Sequence, residues 1–371
     1  MGFISKLLLT LGVMMTLLVQ QIPVCAAAAE RSLRIDVGKL EQKTASFPVE
    51  ERHRWYIRSS LPDDWEQVSG WMVLQTISPA LTLEAGSIGV SLNQKNGERV
   101  LLRMEEHYQL TAGSVFVEEG TADRICIDLT PEGMEFLSDY QADSSELLIS
   151  YAAKINTGAS MGTQILGTAQ RSQTDVNGDR RIALSDKAVV TTGGFHILLN
   201  DSEGNALDQE FFMVAREATQ EEIADDTVTK ELLDTGEKTI AVVYERFFTS
   251  ETLNGGKSDR AVTNETGSAV CYGLAYGTYY LVQTESAREG LLPSKPMKVV
   301  VDEASHLTAS DGWTDSTGRV VDNTVHVTAS MLVMPRTGGP GTVAYTAAGL
   351  AVIICACILL WNNRKRKVTV S

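Results

Sequence analysis

Along most of this chain apolar and polar positions alternate by twos, in short runs rich in β-branched and aromatic residues. The runs "HRWYIRSS", "GWMVLQTI", "RVLLRM", "RICIDL" and "ELLISYAAKI" fill the first half, broken by Gly, Asn, Asp and Pro clusters. The second half continues with "FHILLN", "EFFMVA", "TIAVVYERFF", "TYYLVQT", "MKVVV" and "TVHVTA". A two-residue period with regular turn signals predicts half-buried strands. One segment departs from it. Thr130 is placed to cap a helix, Pro131 suits a first turn, and Met134, Phe136 and Leu137 supply an apolar side. Many short strands with little helix between them predict an all-β chain of sandwiches rather than a parallel sheet. The Gly193-Gly194 pair after "SDKAVVTT" marks the expected boundary between a first domain, 30–190, and a second, 191–330.

The two ends follow other patterns. Lys6, the apolar run Leu7–Val19 and the small residues Ala26–Ala29 have the layout of a secretory signal peptide, residues 1–29. At the other end Val343–Trp361 is apolar over a length that spans a bilayer as a helix, and Arg364-Lys365-Arg366-Lys367 favours the cytoplasmic side. The expected fold is therefore two tandem immunoglobulin-like or prealbumin-like β-sandwiches between a signal-peptide helix and a C-terminal transmembrane helix. The body is exported and displayed at the cell surface.

Charge narrows the partners. The formal charge is −15 over 371 residues, and Lys6 with the four basic tail residues are the only charges in the terminal segments, which leaves the exported part at −20. Such a surface repels nucleic acid and anionic lipid. Of the five cysteines, Cys25 belongs to the signal and Cys355 and Cys357 to the apolar run. Cys126 and Cys271 remain, far apart in sequence, and are expected as two buried, unpaired thiols.

Before the apolar run stands Met334-Pro335-Arg336-Thr337-Gly338. With the run and its basic end, this resembles the L-P-x-T-G sorting signal of Gram-positive wall proteins, Met taking the Leu position. Proline fixes a bend, and glycine leaves the bond after Thr337 unobstructed. The resemblance implies that a sortase thiolate attacks the Thr337 carbonyl and passes the acyl group to an amine of cell-wall peptide or of another pilin subunit. Residues 331–371 form this signal. "GSAVCYGLAYGTYYLVQTESAREGLLP" (267–293) resembles the E-box region of the prealbumin-like, collagen-adhesin B-type domain of Gram-positive pilins, with Leu274, Gly277, Tyr279, Tyr280, Leu281 and Thr284 in place. "GGFHILLNDSEGNALDQEFFMV" resembles the opening strands of that domain. "WYIRSSLPDDWEQVSGWMVLQTISPALTL", the helix, "ELLISYAAKIN" and "SDKAVVTTGGF" follow the order of the pilin domain that precedes it.

That resemblance also implies chemistry which this chain has lost. Such domains often carry an internal Lys–Asn isopeptide bond, formed by a desolvated lysine, an asparagine and a buried protonated acid. In the second domain the three positions fall on Leu199, Gln283 and, on the last strand, Thr328; Glu285 would share the face of Gln283. In the first domain Gln75 stands at the acid position and Gly167 near the asparagine. No bond is expected in either. The Tyr-Pro-Lys motif by which shaft pilins accept the next subunit is missing, and Lys39 and Lys43 are the candidate acceptors. These departures point to a basal or accessory pilin-like protein. The alternative is a singly anchored adhesin that binds a host or matrix ligand.

Two rival signals stand beside this. Asp175, Asn177, Asp179 and Asp186 occupy positions one, three, five and twelve of a candidate calcium loop, although Arg180 replaces the turn glycine. Calcium is the one cofactor this allows. "GASMG" places Ser160 in a nucleophile-elbow pattern, which works only on a strand-to-helix turn; here strand-like runs lie on both sides. The five histidines show no metal-ligand spacing. The chain is expected to be a sortase substrate and not an enzyme.

Overall fold

The computed structural model describes residues 33–117, 120–140, 144–249, 256–286, 291–303, 323–331 and 352–354. The expected signal peptide, residues 1–29, the Met334–Gly338 motif and all but three residues of Val343–Trp361 lie outside these. Among the described residues no helix is long and apolar enough to cross a membrane.

The alternating runs form strands, and the strands sort into two groups that pair only within themselves. From Leu33 to Thr191 one five-stranded sheet has the order Leu33–Val37, Arg52–Ser60, Ser144–Ile155, Leu81–Gln94 and Arg99–Leu101. The facing sheet runs Arg180–Leu184, Ala169–Asp175, Val68–Thr76, Gly120–Leu129 and Tyr108–Val117. A three-stranded sheet of Ile165–Gly167, Ala188–Thr191 and Thr44–Ser46 closes one side. Trp55, Ile57, Trp71, Val73, Leu147, Ile149 and Tyr151 fill the space between. Burying seven such side chains stabilises this unit by roughly 1.5–3 kcal/mol each before entropy is counted.

From Gly193 onward the sheets are Ser268–Leu274, Gly193–Asp201, Thr324–Met331 and Leu291–Leu292, and Glu231–Asp234, Thr239–Glu245, Phe211–Glu217, Gly277–Glu285 and Met297–Val301, with Ala261–Val262 beside Phe211–Phe212. The alternation is visible residue by residue: Phe195, Ile197 and Leu199 are buried, His196 and Leu198 less so. Phe212, Val214 and Leu281 meet them across the sandwich, and Val327 flanks them on the neighbouring strand of their own sheet.

The helix forms over Pro131–Tyr140. Thr130 Oγ1 accepts from the Gly133 amide at 3.0 Å, and Leu137 is fully buried. Gly133 is required by space, since a Cβ there would lie 1.8 Å from the His107 carbonyl oxygen. A second, five-residue helix at Gln220–Ala224 carries a full capping box between Thr219 and Glu222, a T-x-x-E signal that the period does not announce.

At the seam the second unit docks into the first. Phe248 lies in the first unit's core, with Val270 and Tyr272 packed against it. The Val49 amide donates to the Gly273 carbonyl at 3.0 Å, Tyr276 N to Ser46 Oγ at 2.7 Å, and Thr192 Oγ1 to the Leu274 carbonyl at 3.2 Å. Gly273 has φ of +76°, and a Cβ there would stand 2.8 Å from the Val49 Cβ.

Candidate functional site

Two of the three positions expected to carry a cross-link in the second unit, Leu199 and Gln283, are buried. Leu199 is fully buried on the first strand of the unit. The last strand runs parallel beside it, and the residue in register with Leu199 is Val327. Thr328, expected as the third position, is exposed; its inward neighbours are Val327 and Ala329. A strand presents alternate residues to one face, so a one-place offset decides which residue enters the core. Gln283 is buried beside a residue that the sequence pattern did not single out, Glu210, which is fully buried. Gln283 Nε2 donates to Glu210 Oε2 at 2.9 Å, and Ser286 Oγ donates to Glu210 Oε1 at 2.9 Å. The amide oxygen of Gln283 accepts from Ser294 N at 2.8 Å, while the Glu210 amide donates to Thr263 Oγ1 at 3.0 Å. Among the described residues no cation stands within ion-pair distance of Glu210. An acid without an amine cannot form an isopeptide bond. Instead a buried network pins the connection after Gly277–Glu285 to the start of Phe211–Glu217.

In the first unit Gln75 is buried near Tyr151, whose phenol is pushed up by burial. Gly167 lies against the Trp55 ring, and a Cβ there would come within 2.3 Å of a ring carbon. Trp55 in turn stacks on Tyr151, centroids 6.3 Å apart. The volume that a longer side chain would need is taken by the indole. Among the described residues no lysine is buried.

The two candidate acceptor lysines separate sharply. Lys39 is exposed in a tight turn, its amide bonded to the Val37 carbonyl. Lys43 is held. Its Nζ lies 2.8 Å from Asp36 Oδ1 and 2.6 Å from Asp186 Oδ2, and it donates to the Ile35 carbonyl at 2.6 Å. Asp36 is fully buried, and its other oxygen is 2.7 Å from Nε of Arg58, which is 9 % exposed. Among the described residues Asp36 is held by these two cations, with no well-aligned hydrogen bond to either oxygen. Asp186 Oδ1 accepts from Ile35 N at 2.9 Å. Lys43 stands one residue, and Asp186 two residues, before strands that pair in parallel, Thr44–Ser46 and Ala188–Thr191.

The same geometry sets Asp186 apart from the other three candidate calcium positions. Asp175 Oδ1 accepts from the amides of Asn177 and Asp179, both at 2.9 Å, which folds Asp175–Asp179 into a hairpin tip. Asp186 is turned away to Lys43 and Ile35. Among the described residues no group of three or more His, Cys, Asp or Glu is placed to hold a metal. Hairpin pairing from Thr174↔Arg180 to Gln170↔Leu184 carries residues 175–179 and 186 to opposite ends of the strand pair.

Ser160 is exposed in a loop between the strands Ser144–Ile155 and Ile165–Gly167, so no strand-to-helix elbow surrounds it. Cys126 is half-buried and Cys271 fully buried, and both are free thiols. Burial pushes the Cys271 thiol well up.

Comparison with solved structures places this architecture. The 35 kDa C-terminal fragment of the major pilin GBS80 of Streptococcus agalactiae matches 80% of this chain and 98% of its own, with TM-score 0.54 and 20% identity. This is the fold of a Gram-positive pilin. The fimbrial protein FimP from Actinomyces oris matches over 81% of this chain and 67% of its own, at TM-score 0.56 and 14% identity. Domains D2 and D3 of the major pilin SpaD from Corynebacterium diphtheriae match over 81% of this chain and all of theirs, at TM-score 0.51 and 12% identity. No protein-family model matches the sequence, and no curated protein does. The pilin-like fold is thus carried by a sequence far from those of its structural neighbours.

Proposed function

We propose that this chain is a pilin-like surface protein, exported and then joined to the cell wall by a sortase through the Thr337 carbonyl. The observation that carries the reading is the pilin-like fold ending in a strand, Thr324–Met331, that is followed within a few residues by Met334-Pro335-Arg336-Thr337-Gly338. The chain is the substrate of that reaction. Sortase is its processing partner, and wall peptide or another pilin subunit receives the acyl group.

The role is basal or accessory rather than shaft. A donor signal without a Tyr-Pro-Lys acceptor ends a chain at the wall and does not propagate it. The sequestration of Lys43 leaves Lys39 as the amine of the pair that an enzyme can reach. Thr337→Ala should leave the protein in the membrane fraction, and normal wall attachment of that variant would overturn the proposal. Lys39→Arg keeps the charge and blocks amide formation. A basal subunit so altered reaches the wall and loses the polymer above it. A single unchanged band in wall extracts with either residue at position 39 identifies the alternative, a singly anchored adhesin with its own host or matrix ligand.

A further inference from the structure

The way the second unit begins and ends suggests a mechanical role. The chain enters it through Gly193–Asp201 and leaves it through Thr324–Met331, and these two strands lie side by side and parallel. Six residue pairs join them, from His196↔Thr324 to Asp201↔Ala329. The Asn323 side chain extends the contact by donating to the Gly194 carbonyl at 2.8 Å. Among the described residues the leaving strand has one other strand neighbour, Leu291–Leu292, which contributes two pairs. Beneath the ladder Ile197 and Leu199 pack in the core with Val327 and Ala329.

Direction is what matters here. Tension along the chain pulls Gly193 at the first end of the entering strand and Met331 at the last end of the leaving strand. Because the strands are parallel, these are opposite ends of the shared ladder. The strands can part only by sliding, which loads all six pairs together. Had the pair been antiparallel, the two pulled ends would meet at one end of the ladder, and the pairs would open one after another. In the first unit the leaving strand also has a parallel partner, although that partner is the unit's second strand and not its first. Thr44–Ser46 and Ala188–Thr191 are parallel over three pairs, with the Lys43–Asp186 contact of 2.6 Å just ahead of them.

We propose that the parallel pairing of Gly193–Asp201 with Thr324–Met331 is a non-covalent tension clamp, which bears load in shear between the seam and the C-terminal anchor. The clamp needs no amine or amide at Leu199 and Val327, and apolar residues there serve it by keeping water from the ladder. The proposal rests on the anchor lying at Thr337, since this fixes the end from which the last strand is pulled.

The test compares two pulling geometries on one protein. The exported chain, residues 30–337 in a Cys126→Ser background, is stretched from its two ends at constant speed. It is then stretched between the C-terminal end and residue 202, through Ser202→Cys in the exposed turn after Asp201. The second geometry pulls the same ends of both strands and peels the ladder. Contour length released identifies opening of the second unit, and melting temperature shows that Ser202→Cys folds as the parent does. Because parallel ladder bonds are evenly spaced and share a sliding load, the opening force should fall at least about twofold on moving from the ends to residue 202. Equal forces in the two geometries would overturn the clamp. No sortase enters the experiment, so failure of wall attachment and failure of the clamp remain separate results.

Discussion

Arg58→Met isolates the energetics of the Lys43 cluster. Asp36 is fully buried and, among the described residues, has no well-aligned hydrogen bond to either oxygen, so it relies on Arg58 at 2.7 Å and Lys43 at 2.8 Å. Methionine keeps the apolar stem of Arg58 and removes its charge. Stranding a buried charge by deleting its partner costs about 3–5 kcal/mol, whereas exposed pairs contribute about 0–1. Here Lys43 remains, with 36 % of its side chain exposed, so solvent and the surviving cation both reduce the cost. We expect a loss of about 2–3 kcal/mol. For a unit of this size each kcal/mol shifts the melting temperature by about 2–4 °C, so calorimetry of residues 30–337 should show a fall of about 4–12 °C in one transition. Asp36→Leu with Arg58→Met removes the stranded charge and should recover most of the loss, because an apolar replacement of a buried pair is often neutral. A double variant as unstable as the single one would refute the charge argument and leave lost packing as the cause. Intact mass gives an independent check. The ion pair predicts the unmodified mass, and a mass short by one water would show instead that the Lys43 amine and the Asp186 carboxyl have condensed to an amide.

His53 is buried against Phe47, ring centroids 4.5 Å apart, and burial holds its pKa below the ordinary 6.5. Below pH 6.5 the unfolded chain then binds the proton more readily than the folded one, so stability should fall as pH drops from 6.5 to the folded value. In His53→Phe, pH-dependent melting should be flatter across that window, and an unchanged slope would assign the dependence to other groups. Gly273→Ala forces a side chain into the left-handed region and toward Val49, which should loosen the seam and expose the stretch near Phe248 to protease. Limited proteolysis identical to the parent would show that the seam tolerates it. Calcium at millimolar concentration should leave the melting temperature unchanged, because Asp175 and Asp186 serve different partners; a rise would restore the calcium loop.

Much of the architecture is legible in the residues. The alternation in "FHILL" names the buried side of the strand, and Thr130-Pro131 announces the helix, because these signals are local. The register between distant strands is not local. Val327 rather than Thr328 meets Leu199 because pairing in parallel strands is set by the whole sandwich. The Lys43, Asp36 and Asp186 cluster is hidden for the same reason, since Asp186 joins it across 143 residues of chain, from position 43 to position 186. Glu210 carried no signal at all. A lone acid between "NALDQ" and "FFMV" reads as a strand-edge charge, and only the fold shows that Gln283 and Ser286 close over it.

The seam also has a consequence for length. A string of freely jointed domains has an end-to-end distance that grows as the square root of their number. A joint in which Phe248 of one unit fills the core of the other, and three hydrogen bonds bind backbone to backbone or to a hydroxyl, withdraws the freedom that such statistics assume. Reach then adds in direct proportion to the number of units. Two units joined this way keep a set separation between their far ends, which thermal motion does not collapse.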